Sequence, residues 1–256
     1  MILGIDIGTG VTKGALLKNG EFIWGSKTDT EANPTKAVEK IFENLNNEKN
    51  IQEKDLSDVV LTGWGQSKVS GRKSNELVNS ISRGALWANP TVKSVLSMGS
   101  QESIVIKIND NGKVTGYARN DKCASGAGKF LEIICNALEC SVAELSEIAS
   151  RSTKKIRISN QCAVFTESEV VSLVNDGEKV EDIVSAILSS LTVNIASLCK
   201  KTVKKDALMV GGGMANNEKI CALLQNALGV EICTFKPEVD YIAAIGAAVS
   251  VNGGIQ

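Results

Sequence analysis

The chain has 256 residues, 43% of them hydrophobic, with 28 Lys and Arg against 29 Asp and Glu and a formal net charge of −1. That length supports one large or two small domains with real cores, and the balanced charge gives no basis for a nucleic-acid partner or an anionic membrane surface. There is no histidine, which excludes Ser-His-Asp catalysis, His-Glu-x-x-His zinc sites and imidazole bases; seven cysteines without a Cys-x-x-Cys pair point to reduced thiols or a metal site in a cytoplasmic protein rather than a disulfide framework.

Residues 2–7 (Ile-Leu-Gly-Ile-Asp-Ile) read as a buried strand; Met1 leads straight into it with no basic n-region, so no signal peptide is expected. Gly8-Thr9-Gly10 turns the chain. Residues 11–17 form a second strand, Asn19-Gly20 signals a hairpin, and residues 21–25 form a third strand. Residues 34–47 carry Ala37, Val38, Ile41, Phe42 and Leu45 at helical spacing. Residues 58–62 read as a strand ending in Gly63-Trp64-Gly65, and residues 75–87 as a helix. Residues 93–118 then repeat residues 2–27 at an offset of 91: Gly8 falls on Gly99, Thr9 on Ser100, and Lys18-Asn19 on Asn109-Asp110. The order strand, glycine turn, strand, turn, strand recurs with them. A duplicated unit of this kind predicts two similar α/β halves with a cleft between them. The expected lobes are 1–90 and 91–256, the last helix packing back on the first.

Residues 130–138, 166–175 and 180–200 have helical spacing, the last with Ile183, Ile187, Leu191 and Ile195 on one apolar face. Residues 206–210 form a strand running into Gly211-Gly212-Gly213. Residues 217–228 form a helix closed by Gly229, and residues 230–235 another strand. After Pro237 comes a small-residue helix, 241–251, the longest apolar run and too short to span a bilayer.

Three groups of residues carry chemistry. Asp6 ends the first strand and can hold Mg²⁺ directly or through water. The amides of Gly8, Thr9 and Gly10 and the hydroxyls of Thr9 and Thr12 can take β- and γ-phosphates, and Lys13 adds positive charge. Gly211, Gly212 and Gly213, leading into Met214, lie between a strand and a helix, as nucleotide-binding glycines do. In residues 120–131, Cys123 precedes Gly126-Ala127-Gly128-Lys129 and a helix. A cysteine before a helix N-terminus sits in a positive field that favours thiolate, and the glycines let backbone N–H groups approach an anion. Cys162 repeats the arrangement. Cys123 and Cys162 are the metal candidates, whereas Cys135, Cys140, Cys199, Cys221 and Cys233 fall inside helix and strand patterns as core residues. Two thiolates do not complete a tetrahedral or cubane site; a twofold dimer supplying two from each chain does, giving the four that a [4Fe–4S] cluster requires.

These residues carry a family likeness. The chain resembles the ATP-dependent activators, or archerases, of the 2-hydroxyacyl-CoA dehydratases, in the BadF/BadG/BcrA/BcrD ATPase family. The most specific segments are Asn120-Asp121-Lys122-Cys123-Ala124 with Gly126-x-Gly128-x-Phe130-Leu131, and Cys162-x-Val164-Phe165-x-Glu167-Ser168-Glu169. The resemblance implies an α/β fold of two duplicated lobes of the acetate kinase–Hsp70–actin (ribonuclease H-like) type around a nucleotide cleft. It implies ATP and Mg²⁺ as cofactors, and a homodimer sharing one [4Fe–4S] cluster through Cys123 and Cys162. Ferredoxin or flavodoxin is the implied electron donor. A larger iron–sulfur enzyme is the implied acceptor: a dehydratase, a benzoyl-CoA-type reductase or a double-cubane-cluster reductase. The chain departs from the family in its second turn, where Asp-Ile-Gly-Gly-Gln-Asp is replaced by Ser97-Met98-Gly99-Ser100-Gln101-Glu102, and at Ala127, where the family has threonine. Gly99 and Ser100 keep the phosphate contact; Gln101 is the natural water-orienting group, and Glu102 can stand in for the missing carboxylate. Slow hydrolysis is the expected consequence. A small-molecule kinase of the same fold class and a nucleotide-gated sensor stay open as alternatives.

Overall fold

A computed structural model of the chain describes residues 1–120, 128–158, 163–200, 202–203 and 206–252, and these form two five-stranded sheets with helices against them. The first sheet comprises β1 (Ile2–Ile7), β2 (Val11–Lys18), β3 (Glu21–Asp29), β4 (Asp58–Thr62) and a two-residue β5 (Lys73–Ser74), in the order β3-β2-β1-β4-β5. Between its strands lies helix α1 (Pro34–Lys49), and α2 (Leu77–Ala88) follows it. The second sheet comprises β6 (Ser94–Met98), β7 (Ser103–Ile108), β8 (Val114–Arg119), β9 (Leu208–Gly211) and β10 (Ile232–Thr234), in the order β10-β9-β6-β7-β8. Helices α3 (Gly128–Ala137), α4 (Leu145–Ser150), α5 (Ala163–Asn175) and α6 (Val180–Lys200) stand between β8 and β9; α7 (Glu218–Leu228) and α8 (Ile242–Val249) complete the chain order.

The duplication read from the sequence holds at the level of hydrogen-bond register. Leu3 faces Leu16 and Asp6 faces Lys13 in the first hairpin. Ser94 faces Lys107 and Ser97 faces Ile104 in the second, so the 91-residue offset maps one pairing onto the other. Each leading strand also has a parallel neighbour, with Asp6 level with Thr62 and Ser97 level with Gly211. The likeness continues past the hairpins. Gly63 (φ 89°) follows β4 and Gly212 (φ 84°) follows β9, each opening a short 3-10 turn. Only glycine fits there, because the φ is positive and a Cβ at Gly212 would lie 2.5 Å from the Met98 carbonyl oxygen.

Helix α1 starts where Asn33 Oδ1 accepts the amides of Thr35 and Lys36, with Pro34 in the first turn. It lays Val38, Ile41 and Leu45 on Leu3, Ile5, Leu16 and Trp24 of the first sheet. Each such buried side chain contributes about 1.5–3 kcal/mol. The opposite face of that sheet is covered by α8, the last helix, together with α2. A Cβ on Gly246 would fall on the Ser80 carbonyl oxygen, one on Gly84 on that of Ile242, and one on Gly4 on that of Ala244. The two helices and β1 therefore meet backbone to backbone.

Several boundaries differ from the sequence reading. β3 runs on to Asp29 because Val11 pairs with Asp29 across the hairpin. β5 and α4 were not expected. The 241–251 run is too short to cross a membrane, as read from the sequence; among the described residues α6 alone is long and apolar enough by length and composition, and its Ile183, Ile187, Leu191 and Ile195 stripe is buried in the core of the second lobe.

Candidate functional site

The C-terminal ends of β1 and β6 open on one cleft between the sheets. Asp6, Gly8, Thr9, Gly10 and Lys13 line it from the first hairpin, and Ser97, Gly99, Ser100, Gln101 and Glu102 from the second; Gly128, Gly212, Gly213 and Met214 close it. Asp6 is 8% exposed, and the strand register sets Lys13 directly across from it. Lys13 Nζ donates to Asp6 Oδ2 at 3.2 Å and also lies against the turn, where a Cβ on Gly8 would be 3.1 Å from it. One carboxylate and one ammonium, both shielded from bulk water, thus stand at the mouth of a loop of backbone amides.

Thr12 has a different place from the one expected. It is fully buried (0% exposed) and does not line the cleft. Thr30 Oγ1 donates to the Gly8 carbonyl at 2.7 Å. A hydroxyl has one proton to give, so Thr12 Oγ1 is the donor in its 2.9 Å bond to Thr30 Oγ1. The Thr30 amide also donates to the Gly10 carbonyl at 2.9 Å. Thr12 and Thr30 therefore brace the turn from behind, leaving Thr9 as its hydroxyl in the cleft. Thr30 was not identified from sequence; it lies 18 residues beyond Thr12 with no local pattern linking them.

The second turn is tied to α3. The Gly99 amide donates to the Glu102 carbonyl at 2.8 Å, while the Gly128 and Lys129 amides donate to the Gly99 and Ser100 carbonyls at 3.0 and 2.6 Å. The first amides of α3 are thus engaged by the turn rather than turned toward an anion. Gly128 serves the cleft by its lack of a side chain: a Cβ would lie 3.2 Å from Met214 Cγ. Lys129 lies outside the lining and pairs with Glu132 at 2.7 Å. Glu102 pairs with Arg119 at 3.0 Å, and Gln101 is exposed at the rim. Ser97 occupies in the second sheet the place of Asp6 in the first and brings a hydroxyl without charge. The turns approach closely: a Cβ on Gly10 would be 2.8 Å from Ser100 Oγ.

Gly211 lies within β9 against Ile242 and does not reach the cleft. Trp64, Leu77, Glu132, Val142 and Asp240 do, and sequence reasoning did not find them. Trp64 is 66% exposed, between the two glycines after β4, where an unburied aromatic was a usable signal. Asp240 is a single acid heading an apolar run. Cys123, Gly126, Ala127 and Cys162 lie outside the described residues. Of the described cysteines, burial, with the Cys140 thiol beside it, pushes Cys135 up to about 12. Burial pushes Cys199 up to about 12 and also raises Cys221 and Cys233. These four are thiols, not thiolates.

Opposed backbone turns, a shielded carboxylate with its lysine and a third glycine turn suit a polyphosphate and its metal at one end and a nucleoside at the other. The chain is 34% identical over 250 residues to the 2-hydroxyisocaproyl-CoA dehydratase activator of Clostridioides difficile, covering 96% of this chain and 93% of that one. It is 34% identical over 255 residues to the (R)-2-hydroxyglutaryl-CoA dehydratase activating ATPase of Acidaminococcus fermentans, covering 96% and 95%. The structure of the Clostridium difficile activator with bound ADPNP superposes with a TM-score of 0.89 at 30% identity, over 97% of this chain and 93% of that one. The model of the BadF/BadG/BcrA/BcrD ATPase family matches residues 3–251, and the chain belongs to that family of ATPases.

Proposed function

We propose that the chain forms a homodimeric iron–sulfur ATPase that couples ATP binding and hydrolysis to single-electron transfer to a partner metalloenzyme. The observation that carries this reading is the cleft itself: two duplicated turns opposed across one space, with Asp6 and Lys13 in one wall and Gly212–Met214 in the other. Asp6 is the acceptor available to hold Mg²⁺, and the Gly8–Gly10 amides, Thr9 and Lys13 take the phosphates. Gln101 orients water, and Gly212 and Gly213 give the nucleoside close backbone approach. α3 is bonded through Gly128 to the second turn and packs on α5, so a displacement of the turn reaches both helices that follow the candidate cysteines.

The donor chemistry supports Cys123 and Cys162 as the cluster ligands. Among the described residues no group of three or more metal-ligating side chains exists, and burial holds Cys135, Cys199 and Cys221 protonated. Cys162 stands directly before α5, and Cys123 lies between β8 and α3. Two such ligands per chain call for a second copy. When bound, a [4Fe–4S] cluster supplies one low-potential electron. Ferredoxin or flavodoxin is the proposed donor. The acceptor is proposed to be a dehydratase or reductase iron–sulfur enzyme.

The test is iron content. Protein purified without oxygen is expected to hold about four iron per two chains. Cys123→Ser and Cys162→Ser should each abolish it and the exposed Cys233→Ser should not; four iron on a monomer, or iron retained in both variants, would overturn the reading.

A further inference from the structure

Asp240 lies at the junction of the two lobes, on the short 3-10 turn Val239–Tyr241 ahead of α8. It is 7% exposed and lines the cleft beside Gly213. Its Oδ2 accepts from Lys27 Nζ at 2.8 Å and from Asn216 Nδ2 at 3.1 Å. Lys27 belongs to β3 of the first sheet, 213 residues away in sequence. Asn216 ends the 3-10 turn Gly213–Asn216 of the second lobe, and the same Nδ2 donates to the Gly213 carbonyl at 3.1 Å. A single carboxylate oxygen thus bonds at once to the first lobe and to the glycine turn in the nucleotide wall. Its surroundings fix it in place. Tyr241 packs on Phe22 with ring centroids 5.6 Å apart and fills the space over Gly25, and the Gly212 amide donates to the Val239 carbonyl at 2.6 Å.

We infer that Asp240 is a positioning residue: through Lys27 and Asn216 it sets the Gly212–Asn216 turn in register with the first lobe, so that nucleoside contact and lobe orientation are coupled. The physical reason is geometric. A relative rotation of the lobes cannot keep both bonds to one oxygen, so the turn must follow the first lobe or lose a charge-assisted bond. The functional half of this inference rests on the ATPase reading above; the structural half does not.

The experiment therefore has two readouts on the full-length chain. In nucleotide-free protein, amide exchange at residues 212–217 is expected to quicken about five-fold or more in both Lys27→Met and Asp240→Asn, with residues 58–62 unchanged and with Lys27→Arg close to wild type. In steady-state ATP hydrolysis, Lys27→Met should lower kcat/KM about five-fold and Asp240→Asn about ten-fold. The double variant should be no worse than Asp240→Asn alone, because both act through one link. Unchanged exchange in the two variants would overturn the link whatever the nucleotide does. Faster exchange with unaltered kcat/KM, or strictly additive losses, would overturn its role in positioning. A wild type that neither binds nor hydrolyses ATP would refute the ATPase reading and with it the positioning role, leaving exchange to decide the link alone.

Discussion

Replacing Gly246 with alanine sets two effects against each other. In a helix interior the change normally stabilises by about 1 kcal/mol, because alanine loses less backbone entropy. Here the new methyl would meet the Ser80 carbonyl oxygen, the Gly84 amide nitrogen at 2.6 Å and the Ser80 carbonyl carbon at 2.7 Å. All three are backbone atoms of α2, so no side-chain rotation relieves the overlap and the two helices must part. Overpacking a tight contact costs roughly 1–3 kcal/mol, at the upper end when backbone must shift. The expected net loss is about 2 kcal/mol, or roughly 4–8 °C in melting temperature for a chain of this size. Thermal unfolding followed by circular dichroism measures it. Gly116→Ala on β8, where nothing lies within 4 Å of the added atom, is the matched control and should stay within about 0.5 kcal/mol of wild type. If Gly246→Ala melts at or above the wild-type temperature, the helix separation is not set by this glycine and the backbone-to-backbone crossing is misjudged.

Asp6→Ala should weaken Mg-ATP binding about ten- to a hundred-fold by calorimetry, on the scale of one or two charge-assisted bonds; unchanged affinity and turnover would remove Asp6 from the site. Ser97→Asp should raise steady-state phosphate release, since the missing carboxylate is worth about a hundred-fold in turnover. A brisk wild type and a slower variant would show that Gln101 or Glu102 already fills the role. Asp182 accepts the Lys154 and Thr153 amides and the Ser152 hydroxyl, and these bonds, the Lys154 amide foremost, hold its carboxyl below the usual range. A depressed folded value contributes stability that is complete above the unfolded value near 4 and is lost as pH falls through the folded one. The gap in unfolding midpoint between wild type and Asp182→Asn should therefore be constant above about pH 4 and shrink below it; a gap that stays flat into stronger acid would refute the assignment.

The strands of both hairpins were legible because alternation and Asn-Gly or Asp-Asn-Gly turns are local signals, and the offset of 91 located the second turn opposite the first. What failed was what tertiary contact decides. Thr12 has the spacing of a phosphate ligand, yet its position on β2 turns it inward to Thr30, whose place is set by the far end of β3. Gly128 has the look of an anion-binding helix start, yet its amide is taken by Gly99. Asp240 enters the cleft only because α8 returns to the first lobe, and Trp64 because the pairing of β4 with β1 sets Thr62 level with Asp6; no spacing in the chain records either. The two-residue β5 is too short to leave a pattern at all.

The packing of α8 on β1 also has a consequence for biosynthesis. Gly4 leaves the ribosome ahead of the Ala244 and Ala248 backbone that covers it, which is made roughly 240 residues later. At roughly 5–20 residues per second the interval is on the order of tens of seconds. From the completion of α2 until α8 is made, Ala15, Leu17, Val78 and Ile81 have a sheet and a helix but not the helix that seals them. The first lobe is thus closed only after every strand of the second sheet has been made, and a ribosome-bound chaperone would find this apolar face open until α8 emerges.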